Sequence, residues 1–131
     1  MRSPTVFNFF RPNYIPPNTL LGTKGVVAPE LQITNESTEV AYINFMQTVI
    51  SSGIGEVKAD YSALLTQAND PAGLVAKLNL LLAAGQLSET TVGIISSAVS
   101  SISATTDTAR LNRIYAATLL TMASPEYLVL K

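Results

Sequence analysis

The chain contains no cysteine and no histidine among its 131 residues. Serine–histidine triads, cysteine–histidine dyads and zinc sites built on imidazole or thiolate therefore cannot be assembled from it alone, and it forms no disulfide. Charge is scarce as well. Eight basic and nine acidic residues give a formal net charge of −1 and a charged fraction of 13%, where soluble domains average about 25%. The basic residues are scattered instead of clustered, which excludes nucleic acid as a partner, because phosphate neutralisation needs a concentrated positive surface. Long apolar runs are missing too, despite a mean hydropathy of +0.31. Asn44, Gln47, Ser51, Ser52 and two glycines interrupt the uncharged run from Val40 to Gly55, and Thr90 to Thr106 is rich in serine and threonine. A spanning helix needs about 20 predominantly apolar residues, so no membrane span is expected. The start of the chain also lacks the basic stretch and apolar core of a signal peptide.

What the chain does have is an unusual beginning. Pro4, Pro12, Pro16, Pro17 and Pro29 punctuate residues 1–34, and Phe7, Phe9, Phe10 and Tyr14 crowd the first of these. Prolines hold a backbone extended, and disordered segments are poor in aromatics, so the segment predicts an extended arm that docks on something. Phe7, Phe9, Phe10, Arg11 and Tyr14 are its candidate interaction anchors. Alternation places Phe7 and Phe9 on one side of an extended backbone and Phe10 towards the other.

Three stretches carry a resemblance to a known family. They are Arg2-Ser3-Pro4-Thr5-Val6-Phe7-Asn8-Phe9-Phe10-Arg11-Pro12, Gly25-Val26-Val27-Ala28-Pro29-Glu30-Leu31-Gln32-Ile33-Thr34-Asn35-Glu36-Ser37 and Ser124-Pro125-Glu126-Tyr127-Leu128-Val129. Together they resemble the C-terminal part of the bacterial family called domain of unknown function 1800. The resemblance implies a fragment of a larger, mostly helical, exported protein, with Met1 an added start and a periplasmic or extracellular location. The family has no established activity, so it implies no catalytic residue.

From Asn35 onward the pattern is helical. Asn35 is placed to cap a first helix, with Glu36 and Glu39 in its positive first turn. Val40, Ile43, Met46 and Ile50 form its apolar stripe, widened by Phe45 and Val49, and Gly53 and Gly55 end it. A short amphipathic helix is predicted around Tyr61, Leu64 and Leu65. Asp70 and Pro71 open the next long helix, whose Leu74, Val75, Leu78, Leu81 and Leu82 lead to a stop at Gly85. Ser88 caps another, with Val92, Ile95, Val99 and Ile102 opposite a serine-rich face; the very short loop between the two predicts an antiparallel hairpin. A last helix from about Asp107 to Ala123 buries Leu111, Ile114, Tyr115, Leu119 and Met122. Asp107, Arg110 and Arg113 share one face of it and read as a solvated edge with local pairing. The predicted fold is all-α, a single domain in which residues 35–131 form a bundle of four main helices plus one short helix, wrapped by the extended arm.

The candidate polar site comprises Arg2, Glu30, Asn35 and Glu36. Glu36 and Glu39 lie one turn apart, and paired carboxylates serve glycoside hydrolysis or hold a hard cation. Helix electrostatics account for the same acids without a site. Arg2 or Arg11 could hold Glu30 or Glu36 through a forked pair of hydrogen bonds, or could join the aromatics in a groove for a sugar or peptide. No metal and no cofactor are expected. The residues favour a non-catalytic interaction module that packs on the remainder of its parent chain or on another protein. The alternative is half of a glycan-binding or hydrolytic site built on Arg11, Glu30 and Glu36.

Overall fold

Local chemistry sets most element boundaries in the computed structural model, which describes residues 11–128 and, of Glu30 and Ile33, the backbone alone. Contacts group the chain into two units, Met1–Asn44 and Phe45–Lys131.

In the first unit, residues 11–34 depart from the extended arm that the prolines predict. Thr19 takes β backbone and accepts a hydrogen bond from Gly22 N, which opens a one-turn helix, α1 (Leu20–Thr23). A 3-10 helix follows at Pro29–Ile33, with proline in its first turn. Pro29 fixes the helical φ and has no amide to leave unpaired, so the residue that breaks a strand here starts a turn. The amide of Ala28 donates to Tyr14 O at 2.9 Å, and the Gln32 side-chain amide donates to Arg11 O at 3.1 Å. Helix α2 (Glu36–Ser52) then begins as predicted. Asn35 Oδ1 accepts from Thr38 N at 3.0 Å while Thr38 Oγ1 accepts from Asn35 N at 2.9 Å, a reciprocal cap that satisfies two orphan amides.

Helix α2 buries the stripe its periodicity suggests only in part. Ile50 is buried and Ile43, Met46 and Val49 are half-buried, whereas Val40 is 59% and Phe45 53% exposed. The helix stops at Gly53, whose φ of +78° is open to glycine. A side chain there would also meet Val57 O at 2.3 Å, because the chain folds straight back through an isolated bridge between Ile54 and Val57.

The second unit holds the core. The predicted short helix resolves into two 3-10 turns, Ser62–Leu64 and Gln67–Asn69. Asp70 occupies the N-cap of α3 (Pro71–Ala83), but its side chain makes no capping bond. At the other end the left-handed turn begins one residue before the predicted glycine, at Ala84 (φ 51°), and continues through Gly85 (φ 76°). Asn79 organises this turn twice, its carbonyl accepting from Gly85 N at 3.0 Å and its Oδ1 from Leu87 N at 3.1 Å. Ser88 then caps α4 (Glu89–Ser100) and Thr106 caps α5 (Asp107–Met122), each side chain accepting an amide three residues on. Ser124-Pro125 restarts a final turn, α6 (Pro125–Leu128).

Helices α3, α4 and α5 enclose a core of Leu74, Val75, Leu78, Ile95, Val99, Ile114 and Ala117, closed at its ends by Ala68, Ala83 and Leu87. Leu81, predicted inside, is 63% exposed. At 100° per residue it falls at the flank of the arc centred on Leu74, Val75 and Leu78, and Leu82 packs against the core in its place. The all-α class holds: among the described residues there is no strand, and no helix is long and apolar enough to cross a membrane.

Candidate functional site

Phe7, Phe9, Phe10 and Arg2 lie outside the described residues, and the Glu30 side chain is likewise outside them. Arg11 is exposed, and its carbonyl anchors Gln32. Tyr14 is half-buried and donates its amide to Arg11 O at 3.1 Å. Asn35 is committed to the α2 cap. Glu36 borders a shallow concavity of about 460 Å³ with Ser37, Val40, Ala41 and Asn44. Of the candidate residues whose side chains are described, Glu36 lines that concavity and Arg11 and Asn35 do not. Among the described residues no group of three or more carboxylates is placed to hold a metal ion.

The polar group with the most partners is one that the helical pattern misread. Arg113, taken as part of a solvated edge, is 7% exposed. Its Nη1 donates to Ala68 O at 2.8 Å, its Nε to Ile102 O at 2.9 Å, and its Nη2 to Ile102 O and, at 3.3 Å, to Ser100 O. Those carbonyls belong to the frayed end of α4 and to the second 3-10 turn, where no amide is left to pair them. The cation at a helix C-terminus also meets the negative end of the macrodipole. The predicted local pairing is restricted to Arg110 and Asp107, the one ion pair among the described residues. The available signal was positional: Arg113 lies one turn before Ala117, on the arc that also holds Ile114.

Glu126 forms a second polar cluster. Its Oε1 accepts from the Thr91 hydroxyl at 2.7 Å, the Ser88 hydroxyl at 2.9 Å and Ser88 N at 3.3 Å, so α6 supplies a carboxylate to the first turn of α4. The Thr91 hydroxyl foremost, then its own backbone amide and Ser88, hold its pKa down to about 2 from 4.5. Oε2 is buried without a donor. Because the folded pKa lies below the unfolded one, this stabilisation is complete above about pH 5 and is lost as the pH falls towards 2. Glu126→Gln should cost about 1–2 kcal/mol at neutral pH, with solvent screening already allowed for. Urea titrations at successive pH values should show that difference closing as the acid limit is approached; a gap constant with pH would reject the charge-based account.

Tyr61 links two helices. Its hydroxyl donates to Ile50 O at 3.0 Å, and its ring meets Tyr115 edge-on, with centroids 5.3 Å apart and planes at 69°. Burial, and secondarily Tyr115, push its phenol pKa up, so it remains a neutral donor. Beside this pair runs a groove of about 350 Å³ lined by Gln47, Ile50, Ser51, Asn112, Tyr115, Ala116 and Leu119. A third concavity, about 450 Å³, is bordered by Leu82, Gln86, Glu126, Tyr127 and neighbouring residues.

No curated protein and no solved structure matches the chain. One family does match, described as "Protein of unknown function (DUF1800)", over residues 1–129. That match spans the arm, the helical hairpin and the last helix alike, and the chain belongs to the DUF1800 family.

Proposed function

We propose that this chain is a helical interaction module within a larger exported protein, docking through exposed apolar side chains of the α3–α4 hairpin on the remainder of that protein. The observation that carries the reading is the exposure of Leu80 (68%), Leu81 (63%) and Ile94 (66%) on helices almost without charge. Between Pro71 and Thr106 the only charged residues are Lys77 and Glu89. Solvated helices normally surround such side chains with lysine and glutamate, whereas the buried centre of an interface is depleted of charge. The exported setting is what the family resemblance implies, and a charged fraction of 13% is compatible with it.

The binding energy would come from a few apolar anchors. Calorimetric titration of the chain with the separately expressed remainder of its parent should give saturable binding. Leu81→Ser together with Ile94→Ser should weaken it by roughly thirtyfold or more, the factor that corresponds to about 2 kcal/mol. Both positions are exposed, so the helices should persist in the variant. Absence of binding between two folded partners would end the proposal.

A further inference from the structure

The groove between α2 and α5 has features of a preorganised ligand site. Gln47 and Ser51 stand one turn apart on α2; Asn112, Tyr115, Ala116 and Leu119 follow the i, i+3, i+4, i+7 face of α5. Both walls are therefore helical, and Tyr61 fastens them from behind, bonded to Ile50 O on one side and packed on Tyr115 on the other. Sites held by regular elements and a supporting layer keep their geometry without a ligand.

Its lining is free of charge. An ionic ligand would lose hydration with no counter-charge to replace it, so a neutral one is favoured. Gln47 and Asn112 each offer a carboxamide with donors and an acceptor, and the Tyr115 phenol can do both. Ile50, Ala116 and Leu119 supply apolar surface between them. Donor–acceptor side chains and apolar side chains lining one groove match a molecule with hydroxyls around its rim and C–H groups on its face. The volume, about 350 Å³, lies at the small end of ligand pockets and suits one ring, not an extended chain.

We infer that this groove binds a neutral sugar residue, with Gln47, Asn112 and Tyr115 contacting its hydroxyls. The inference does not rest on the docking surface of the hairpin.

The test is a 1H–15N titration of the whole chain with glucose, galactose, mannose and N-acetylglucosamine at millimolar concentrations, following the side-chain amides of Gln47 and Asn112 directly. A neutral alanine-rich peptide forms a separate arm. Saturable shifts at these amides and at the backbone amides of Ser51 and Ala116 in the same groove are expected with at least one sugar; in Gln47→Ala/Asn112→Ala, which lacks the side-chain probes, the affinity read from those backbone amides should fall at least tenfold. Both residues are exposed, and an unchanged backbone spectrum elsewhere would verify that the double variant is folded. No saturable shift with any of the four sugars, equal shifts in the variant, or saturation by the peptide alone would overturn the inference.

Discussion

Replacing Arg113 with alanine should cost about 3–5 kcal/mol, because it leaves carbonyl acceptors without a donor at about 1–3 kcal/mol each, partly recovered by water. The guanidinium meets the carbonyls of Ala68, Ser100 and Ile102, and its removal strands three acceptors. At roughly 3–6 °C per kcal/mol for a domain of this size, the melting temperature should fall by roughly 10–30 °C. Arg113→Lys should recover less than half of the loss. A lysine ammonium is a compact point charge, while the carbonyls are spread across two elements in a pattern that the planar fork spans. Thermal unfolding followed by circular dichroism measures both variants. Hydrogen exchange should rise first at the end of α4 and in the Gln67–Asn69 turn. A loss below about 1 kcal/mol for the alanine variant would mean that solvent replaces the lost bonds, as at an ordinary surface arginine.

Leu74→Ala should be nearly as damaging, for a different reason. Leu74 is fully buried between α3 and the helices that cover it, in a core with Ile114, Val75 and Val99 equally inaccessible. Truncation loses the transfer free energy of the removed atoms and leaves a cavity that close-packed neighbours fill only in part, together about 3–4 kcal/mol. Leu74→Met, which conserves volume, should cost less than about 1.5 kcal/mol. Urea unfolding distinguishes a packing defect from a change in the unfolded ensemble: the midpoint should move while the slope stays constant. Equal losses for alanine and methionine would argue against cavity formation as the cause.

The two residues show which parts of the molecule a linear reading can reach. Leu74 was legible because α3 repeats its apolar positions at helical spacing, and a repeat of that kind reports the buried side of a helix. Arg113 has the same helical register but the wrong chemistry for a core, so charge alone assigned it to solvent. Its burial depends on carbonyls far along the chain, left unpaired because α4 ends where it does. Glu126 is similar. Its partners Ser88 and Thr91 were recognisable as a helix start, yet nothing near either segment announces that the carboxylate of a later turn completes it. The groove beside Tyr61 needed the same non-local information, since Gln47 and Asn112 read separately are two ordinary surface amides.

Residues 11–34 illustrate the opposite case. The prolines between Arg11 and Thr34 predict an extended chain, but Pro29 opens a 3-10 helix and Thr19 caps α1, so turn chemistry prevails there over the stiffness of the ring. In α2, the apolar stripe is covered along Ile43, Met46, Val49 and Ile50 but not at Val40 and Phe45, which remain exposed. Helical periodicity states which side chains share a face; it does not state that a neighbour covers that face.

Sequence by itself therefore determined the all-α class, the caps at Asn35 and Ser88, the breaks at Gly53 and near Gly85, and the absence of histidine and cysteine chemistry. These follow from interactions within about four residues, where backbone hydrogen bonding and side-chain size leave few alternatives. Tertiary structure alone decided that Arg113 is buried, that Leu81 is not, that Glu126 joins α6 to α4, and that Tyr61 sets the walls of a groove. Each of those depends on which distant atoms arrive at a given side chain, and the free energy of burying a polar or apolar group is set by those neighbours.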